Sequence, residues 1–121
     1  MATLILDAGK STEELVQFIT NEMDDATLDK IEVQREVLKP ENLATEPFTV
    51  SATLVLSTTL VITVGRIIER WLENRKQLDQ LRIVADGFKS SDEAGKGLAQ
   101  VSKAHAAVSI AYGLPKVIAK K

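Results

Sequence analysis

TVSATLVLSTTLVITVG, at residues 49–65, is the stretch of this sequence that decides the fold. Its seventeen residues carry no charge in a chain of only 121, and they run directly into the charged amphipathic segment RIIERWLENRK at residues 66–76. A small domain seldom concentrates so much apolar and hydroxyl surface in one place. The stretch is therefore either the central core element or a surface that leaves water for a membrane or a partner.

The conformation of this stretch has two interpretations. A single helix over about residues 47–78 would be about 48 Å long at 1.5 Å per residue, whereas two strands would separate at residues 57–59. The many β-branched residues favour the strands. However, the helical period continues without a break into residues 66–78, and no glycine or proline marks a hairpin turn. We therefore predict one long, very apolar central helix, with the hairpin as the alternative.

Shorter elements precede this stretch. Residues 3–6 predict a short strand, and Ser11 opens a helix because Glu14, three residues later, completes a capping box. The apolar face of this helix consists of Leu15, Phe18, Ile19 and Met23. Residues 31–38 alternate as a half-buried strand, and residues 39–47 form a proline-bounded loop.

The last part of the chain predicts a strand at residues 81–85 and a helix at residues 91–112, which Ser90 and Glu93 open as a second capping box. The element order is then β-α-β-α-β-α. This order predicts an α/β (α+β) fold, a small sandwich of one sheet with helices, as a single domain of 121 residues. Its βαβαβ core spans residues 3–87.

Composition and charge narrow the functional classes. Aromatic residues make up only 4% of the chain, so the core must be aliphatic, and the absence of cysteine removes disulfides, thiolate metal sites and cysteine nucleophiles. The N-terminus lacks the pattern of a cleaved signal peptide. Residues 1–47 carry a net charge of −7 and residues 48–121 a net charge of +5. These opposite signs favour intramolecular docking or head-to-tail assembly, whereas the thin spread of basic residues argues against nucleic-acid binding.

Candidate catalytic groups are few. Gly9-Lys10-Ser11 looks like the end of a phosphate-binding loop, but that pattern needs a glycine five residues before Gly9, where this chain has Leu4. His105 is the only histidine and lies among alanines, which favours a packing role. We therefore predict a protein that is not an enzyme, with no catalytic residue, no metal site and no cofactor. A nucleotide-dependent switch at Gly9-Lys10-Ser11 is kept only as a third hypothesis.

The apolar stretch is at the limit of what a bilayer accepts. Ten Val, Leu or Ile residues between Val50 and Ile68 contribute about −4 to −5 kcal/mol at a helix centre. Several serines and threonines and Arg66 oppose insertion. The apolar segment is also close to the minimum length of a helix that crosses a bilayer. Trp71 fits either an anchor at the depth of the headgroups or a packed core residue. Membrane contact in some state and a buried core or protein interface therefore both stay open.

GRIIERWLENRKQLDQLRIVADG, at residues 65–87, resembles the signature of the effector-associated constant component domains of bacterial conflict systems. The matching positions are Trp71-Leu72, Arg75-Lys76, the strand at residues 81–85 and Asp86-Gly87. The resemblance covers about residues 3–87. The entry to the apolar helix departs from the family, because it is rich in Thr, Ser and Val where such domains are rich in Gly and Ala.

The resemblance implies a non-enzymatic module that acts beside proteases or other effectors in antiviral defence against phage. We expect a cytoplasmic protein that self-associates as a homo-oligomer or docks an effector through its apolar helix, and that engages the inner membrane. The expected membrane or oligomer contacts are Val50, Leu54, Ser57, Thr58, Val61, Ile62, Gly65, Ile68 and Trp71, with Ser51, Thr59 and Thr63 as further helix–helix contacts. The expected contacts to headgroups or a partner are Arg66, Arg70, Arg75 and Lys76. The alternative is a soluble adaptor that uses the same helix as core or interface.

Overall fold

A computed structural model of the protein describes residues 1–38, 48–75, 78 and 80–113. Five strands and four helices follow one another along these residues. In chain order they are β1 (Ala2–Asp7), α1 (Thr12–Asn21), α2 (Asp25–Leu28), β2 (Glu32–Leu38), β3 (Phe48–Leu56), α3 (Thr58–Glu73), β4 (Leu81–Asp86), α4 (Glu93–Ala104) and β5 (Val108–Tyr112). The strands predicted at residues 3–6, 31–38 and 81–85 are confirmed as β1, β2 and β4.

The strands form a single sheet with the order β2-β3-β1-β4-β5. Neighbouring strands are antiparallel except β4 and β5, which are parallel. The first four strands, with α1 and α3, have the βαββαβ connection of ferredoxin-like folds. α4 and β5 then extend the sheet beyond β4 as a further βαβ unit. The predicted α/β class is thus confirmed.

The single helix predicted over about residues 47–78 is wrong, and so is the second half of the alternative hairpin. The chain forms strand β3 up to Leu56 and helix α3 from Thr58. Ser57 separates them as an N-cap. Its backbone is still extended, but its carbonyl accepts from the Val61 N–H at 3.2 Å and its Oγ accepts from the Leu60 N–H at 3.3 Å, which starts the helix. The uncharged stretch therefore contains two elements, and a polar residue that caps a helix divides them.

One aliphatic core lies between the sheet and the three long helices. Alternate residues of β1, β3 and β4 point into it, as in Leu4, Leu54 and Ile83, all of them no more than 1% exposed. The helices contribute Leu15, Val16, Ile19, Val61, Val64, Ile67, Ile68, Trp71, Leu72, Ala94, Leu98 and Val101. All three helices therefore cover the same face of the sheet.

The helix predicted over residues 91–112 is also wrong, because α4 ends at Ala104 and residues 108–112 form β5 beside β4. Val108, Ile110 and Tyr112 alternate along this segment, and such residues favour a strand. Ser90 is not the cap of α4. Asp92 occupies the N-cap position, and its carboxylate accepts a hydrogen bond from the Lys89 N–H at 2.9 Å. The loop predicted at residues 39–47 lies outside the described residues.

Candidate functional site

The face of the sheet opposite the helices has an apolar centre. Ile5 of β1 lies directly opposite Val84 of β4 in the register, and Val55 of β3 is the diagonal neighbour of Ile5. Each of these side chains is half-buried, and none belongs to the helix-covered core. Hydroxyl residues of β1 and β3 lie beside this centre, namely Thr3, Ser51 and Thr53. No helix or strand of the described ranges covers this surface, which we call the open face.

Carboxylates form the rim of the open face. Glu32 and Glu36 lie on the edge strand β2, while Asp86 is at the end of β4. Gln34, between the two glutamates, donates to Glu32 at 3.2 Å, which confirms that these side chains share one face. Near the other end of the sheet Asp7 lies opposite Arg82, the one cation that the described strands present on this face. The formal charge of the open face is therefore −3, from four carboxylates and one guanidinium.

On the helix side of the sheet, carboxylates form ion pairs with arginines. Glu14 of α1 pairs with Arg75, and Glu22 pairs with Arg70 at 3.1 Å. Both pairs join the acidic first part of the chain to its basic second part, as the opposite charges of the two parts predict. The described residues thus use these charges for intramolecular docking of α1 against α3.

Arg75, Trp71 and Glu14 form a compact cluster at the groove between α1 and α3. The Trp71 indole N–H donates to Glu14 Oε2 at 3.2 Å, and an Arg75 N–H donates to the same oxygen. The guanidinium carbon of Arg75 lies 4.4 Å from the centre of the Trp71 ring, within the range of a cation–π contact. A cavity of about 400 Å³ lies beside this cluster, with Phe18 and Asn21 also in its lining.

This cluster also explains why the predicted capping box at Ser11 and Glu14 is wrong. The Ser11 hydroxyl makes no cap bond and instead accepts from Arg75 Nη2 at 3.1 Å. Glu14 is held by α3, so its carboxylate is turned away from the start of α1. Thr12 stabilises the turn instead, because its hydroxyl accepts from the Ala8 N–H at 2.9 Å and donates to the Gly9 carbonyl.

A second carboxylate of α1 binds the sheet. Glu13 accepts hydrogen bonds from Arg35 of β2 at 2.9 Å and from the Thr49 hydroxyl of β3 at 2.8 Å, and Gln17 donates to its other oxygen. Thr49 reaches this side because the register skips Val50, a bulge that rotates the start of β3. Partial burial raises the pKa of Glu13, but these hydrogen bonds and the charge of Arg35 outweigh it and hold the pKa below its ordinary value of 4.5.

The structure divides the predicted contact residues into two groups. Most of the apolar ones pack in the chain's own core, while the hydroxyl residues of α3 are exposed. The buried residues are Leu54, Val61, Gly65, Ile68 and Trp71. The half-buried ones are Val50, Ser51 and Ile62, and the exposed ones are Ser57, Thr58, Thr59 and Thr63. A membrane or oligomer contact through the buried group requires these residues to leave the core, and it stays a prediction.

The four predicted cations also differ in their surroundings. Arg66 is exposed on α3, whereas Arg75 binds Glu14 of α1 and Arg70 binds Glu22 at the C-cap of α1. Lys76 lies outside the described residues. Trp71 is only 4% exposed, so it has the position of a packed core residue and not that of an anchor at headgroup depth. In the described part of the chain no helix is both long enough and apolar enough to cross a membrane.

The Gly9-Lys10-Ser11 segment forms a single 3-10 turn between β1 and α1. The Asp7 carboxylate already accepts the Gly9 N–H at 2.9 Å, and Leu4 lies buried in the strand. The turn thus offers a carboxylate where a phosphate loop offers free backbone N–H groups. His105 is half-buried at the end of α4. Within the described ranges, no group of three or more His, Asp or Glu residues is placed to hold a metal ion.

Sequence reasoning missed the open face, although its signal was present. Along β1, β3 and β4, the residues of the open face alternate with buried residues; they are Thr3, Ile5, Thr53, Val55 and Val84. This alternation becomes visible once residues 49–56 are interpreted as a strand. No protein-family model, curated protein or solved structure matches this chain in the comparisons with known proteins. The fold and its surfaces are therefore the basis for a functional proposal.

Proposed function

We propose that this chain is a non-enzymatic docking module of a bacterial anti-phage defence system, which binds an effector protein through the open face of its sheet. The observation that carries the proposal is the one-sided covering of that sheet. Three helices bury one face, whereas the described residues leave the apolar centre of Ile5, Val55 and Val84 without a covering layer. Antiparallel sheets can face water on one side, and such faces are usually polar.

The apolar centre distinguishes this face from a solvated one. Its three aliphatic side chains lie on the three central strands of the sheet, and Ile5 on the middle strand neighbours both Val84 and Val55, so a partner surface could bury them together. β3 contributes to this face the outward side of the uncharged stretch, including Ser51, Thr53 and Val55. Contact with a partner through this stretch, expected from the sequence, is thus proposed for β3 in place of α3.

The resemblance of residues 3–87 to effector-associated constant component domains supports the biological setting. Such domains act beside proteases or other effectors, and a fold alone does not define a function. The polar outer side of α3, with Thr59, Thr63 and Arg66 exposed, gives a membrane little apolar surface. We therefore take an effector protein as the partner in the folded state.

Co-expression with the proteins encoded by the neighbouring genes tests this proposal. We expect one of them to copurify with the wild-type chain and to be lost from Val84→Lys, which places a charge at the centre of the open face. Thr63→Lys is the matched control, because it adds the same charge at an exposed position of α3. Equal copurification with both variants would show that docking uses another surface. In cells that carry the whole locus, Val84→Lys should also reduce protection against phage.

A further inference from the structure

Resting on the function proposed above, we infer that the partner docks on the open face through a basic amphipathic surface, with aliphatic side chains at its centre and Lys or Arg at its edges. The inference starts from a difference between the two sides of the sheet. On the helix side, the two carboxylates of α1 and the one at its C-cap each have an arginine: Arg35 binds Glu13, Arg75 binds Glu14 and Arg70 binds Glu22.

Within the part of the chain that the structure describes, the carboxylates on the open face lack such partners. Among the described residues, Glu32, Glu36 and Asp86 form no ion pair, and Arg82 lies opposite Asp7 in the register. The charge that a partner would meet is therefore negative along the β2 edge and at the Asp86 end of β4, whereas Arg82 and Asp7 offset each other at the opposite end of the face. Complementary potentials favour a cationic partner and disfavour an acidic one.

The shape of the open face adds a second requirement. A sheet face commonly buries its apolar side chains under a helix, whose apolar stripe is flanked by polar residues. A helix with lysines on either side of a leucine stripe would place the apolar stripe on Ile5, Val55 and Val84 and its cations toward the carboxylates. A nucleic acid would meet like charge here, which agrees with the expectation that this chain binds none.

A synthetic amphipathic peptide of leucine and lysine, about 14 residues long, serves as the probe. Binding is measured by fluorescence anisotropy of the labelled peptide. We expect saturable binding to the wild-type protein that weakens as salt rises from about 50 to about 300 mM. The double variant Glu32→Lys/Glu36→Lys should bind at least about tenfold more weakly, because two attractions become repulsions. A peptide with glutamates in place of the lysines should not bind.

The double variant Glu69→Lys/Glu73→Lys is the matched control. It changes the net charge by the same amount on α3, away from the open face, and should bind within about threefold of wild type, since exposed charges farther apart than about 10 Å are screened. Equal losses in the two double variants would mean bulk charge attraction and would overturn the inference. Absence of wild-type binding would overturn it as well.

A third variant separates this inference from the proposed function. Val55→Thr/Val84→Thr removes apolar surface at nearly constant shape and leaves the charge unchanged. If it loses the effector and the peptide while Glu32→Lys/Glu36→Lys retains both, the open face is the docking site but its charge preference is wrong. If the effector binds all variants equally, the proposed function fails too. Thermal unfolding of each variant confirms that it is folded.

Discussion

The guanidinium of Arg75 lies over the ring of Trp71, and both side chains donate to the same carboxylate oxygen of Glu14. Trp71 and Arg75 are one helical turn apart at the end of α3 and just beyond it, so the cluster holds the end of this helix against α1. Trp71 and Arg75, two of the positions that carry the resemblance to effector-associated domains, are thus explained by packing between α1 and α3.

Removing Glu14 should destabilise the fold more than removing the other carboxylate that joins α1 to α3. Glu14→Ala leaves the N–H of the buried Trp71 without its acceptor, and we expect a loss of about 1 kcal/mol in the free energy of unfolding. Glu22→Ala breaks an ion pair whose arginine is 57% exposed and should cost less than about 0.5 kcal/mol. Urea denaturation measures both. Equal losses would show that the cluster has no special role.

Substitutions at two neighbouring residues of β3 test whether its side chains point alternately to the core and to the open face. Leu54 is 1% exposed on the helix side, whereas Val55 is half-buried on the open face. Leu54→Ala should therefore cost about 3 kcal/mol, and Val55→Ala less than about 1 kcal/mol. Chemical denaturation of the two variants gives this comparison. Similar costs for both would mean that a second layer covers the open face.

Much of the fold could be predicted from the sequence because local patterns and tertiary packing agree there. Residues 31–38 alternate and form β2, and α1 shows a helical period. The prediction for the uncharged stretch was wrong because its first half, which forms β3, and its second half, which begins α3, have the same apolar composition. Only the N-cap at Ser57 marks the change from strand to helix. The alternation along each strand of the open face was visible in the sequence, but which strands lie side by side was not, because these residues come together only through the strand order β3-β1-β4.

The two glycines of α4 should respond differently to alanine. A Cβ at Gly95 would lie 2.6 Å from the Cα of Ser90, and the backbone there has no room to yield, so we expect Gly95→Ala to cost about 1–3 kcal/mol. At Gly97 the nearest atoms belong to Ile62, at 3.8 Å or more. Gly97→Ala should be neutral or stabilise by up to about 1 kcal/mol, because alanine favours helix. Thermal unfolding distinguishes the two variants, and a tolerated Gly95→Ala would contradict the close approach of α4 to residues 89–90.

The lowered pKa of Glu13 predicts a pH dependence. A carboxylate whose pKa is lower in the folded state stabilises the fold above its ordinary pKa of 4.5, and this stabilisation is lost as the pH falls through the folded value. Glu13→Gln should therefore be less stable than wild type near pH 7, and the difference should shrink toward about pH 3. A difference that stays constant across this range would show that ionised Glu13 does not stabilise the fold.

Methyl NMR tests the central claim, docking through the open face, most directly. In protein labelled at the methyl groups of Ile, Leu and Val, the copurifying effector should shift the signals of Ile5, Val55 and Val84. The signals of Val61 and Ile68, which lie in the core beneath α3, should stay nearly unchanged. The opposite pattern, with large shifts at Val61 and Ile68 and none at Ile5 and Val84, would contradict the account and return the contact to α3.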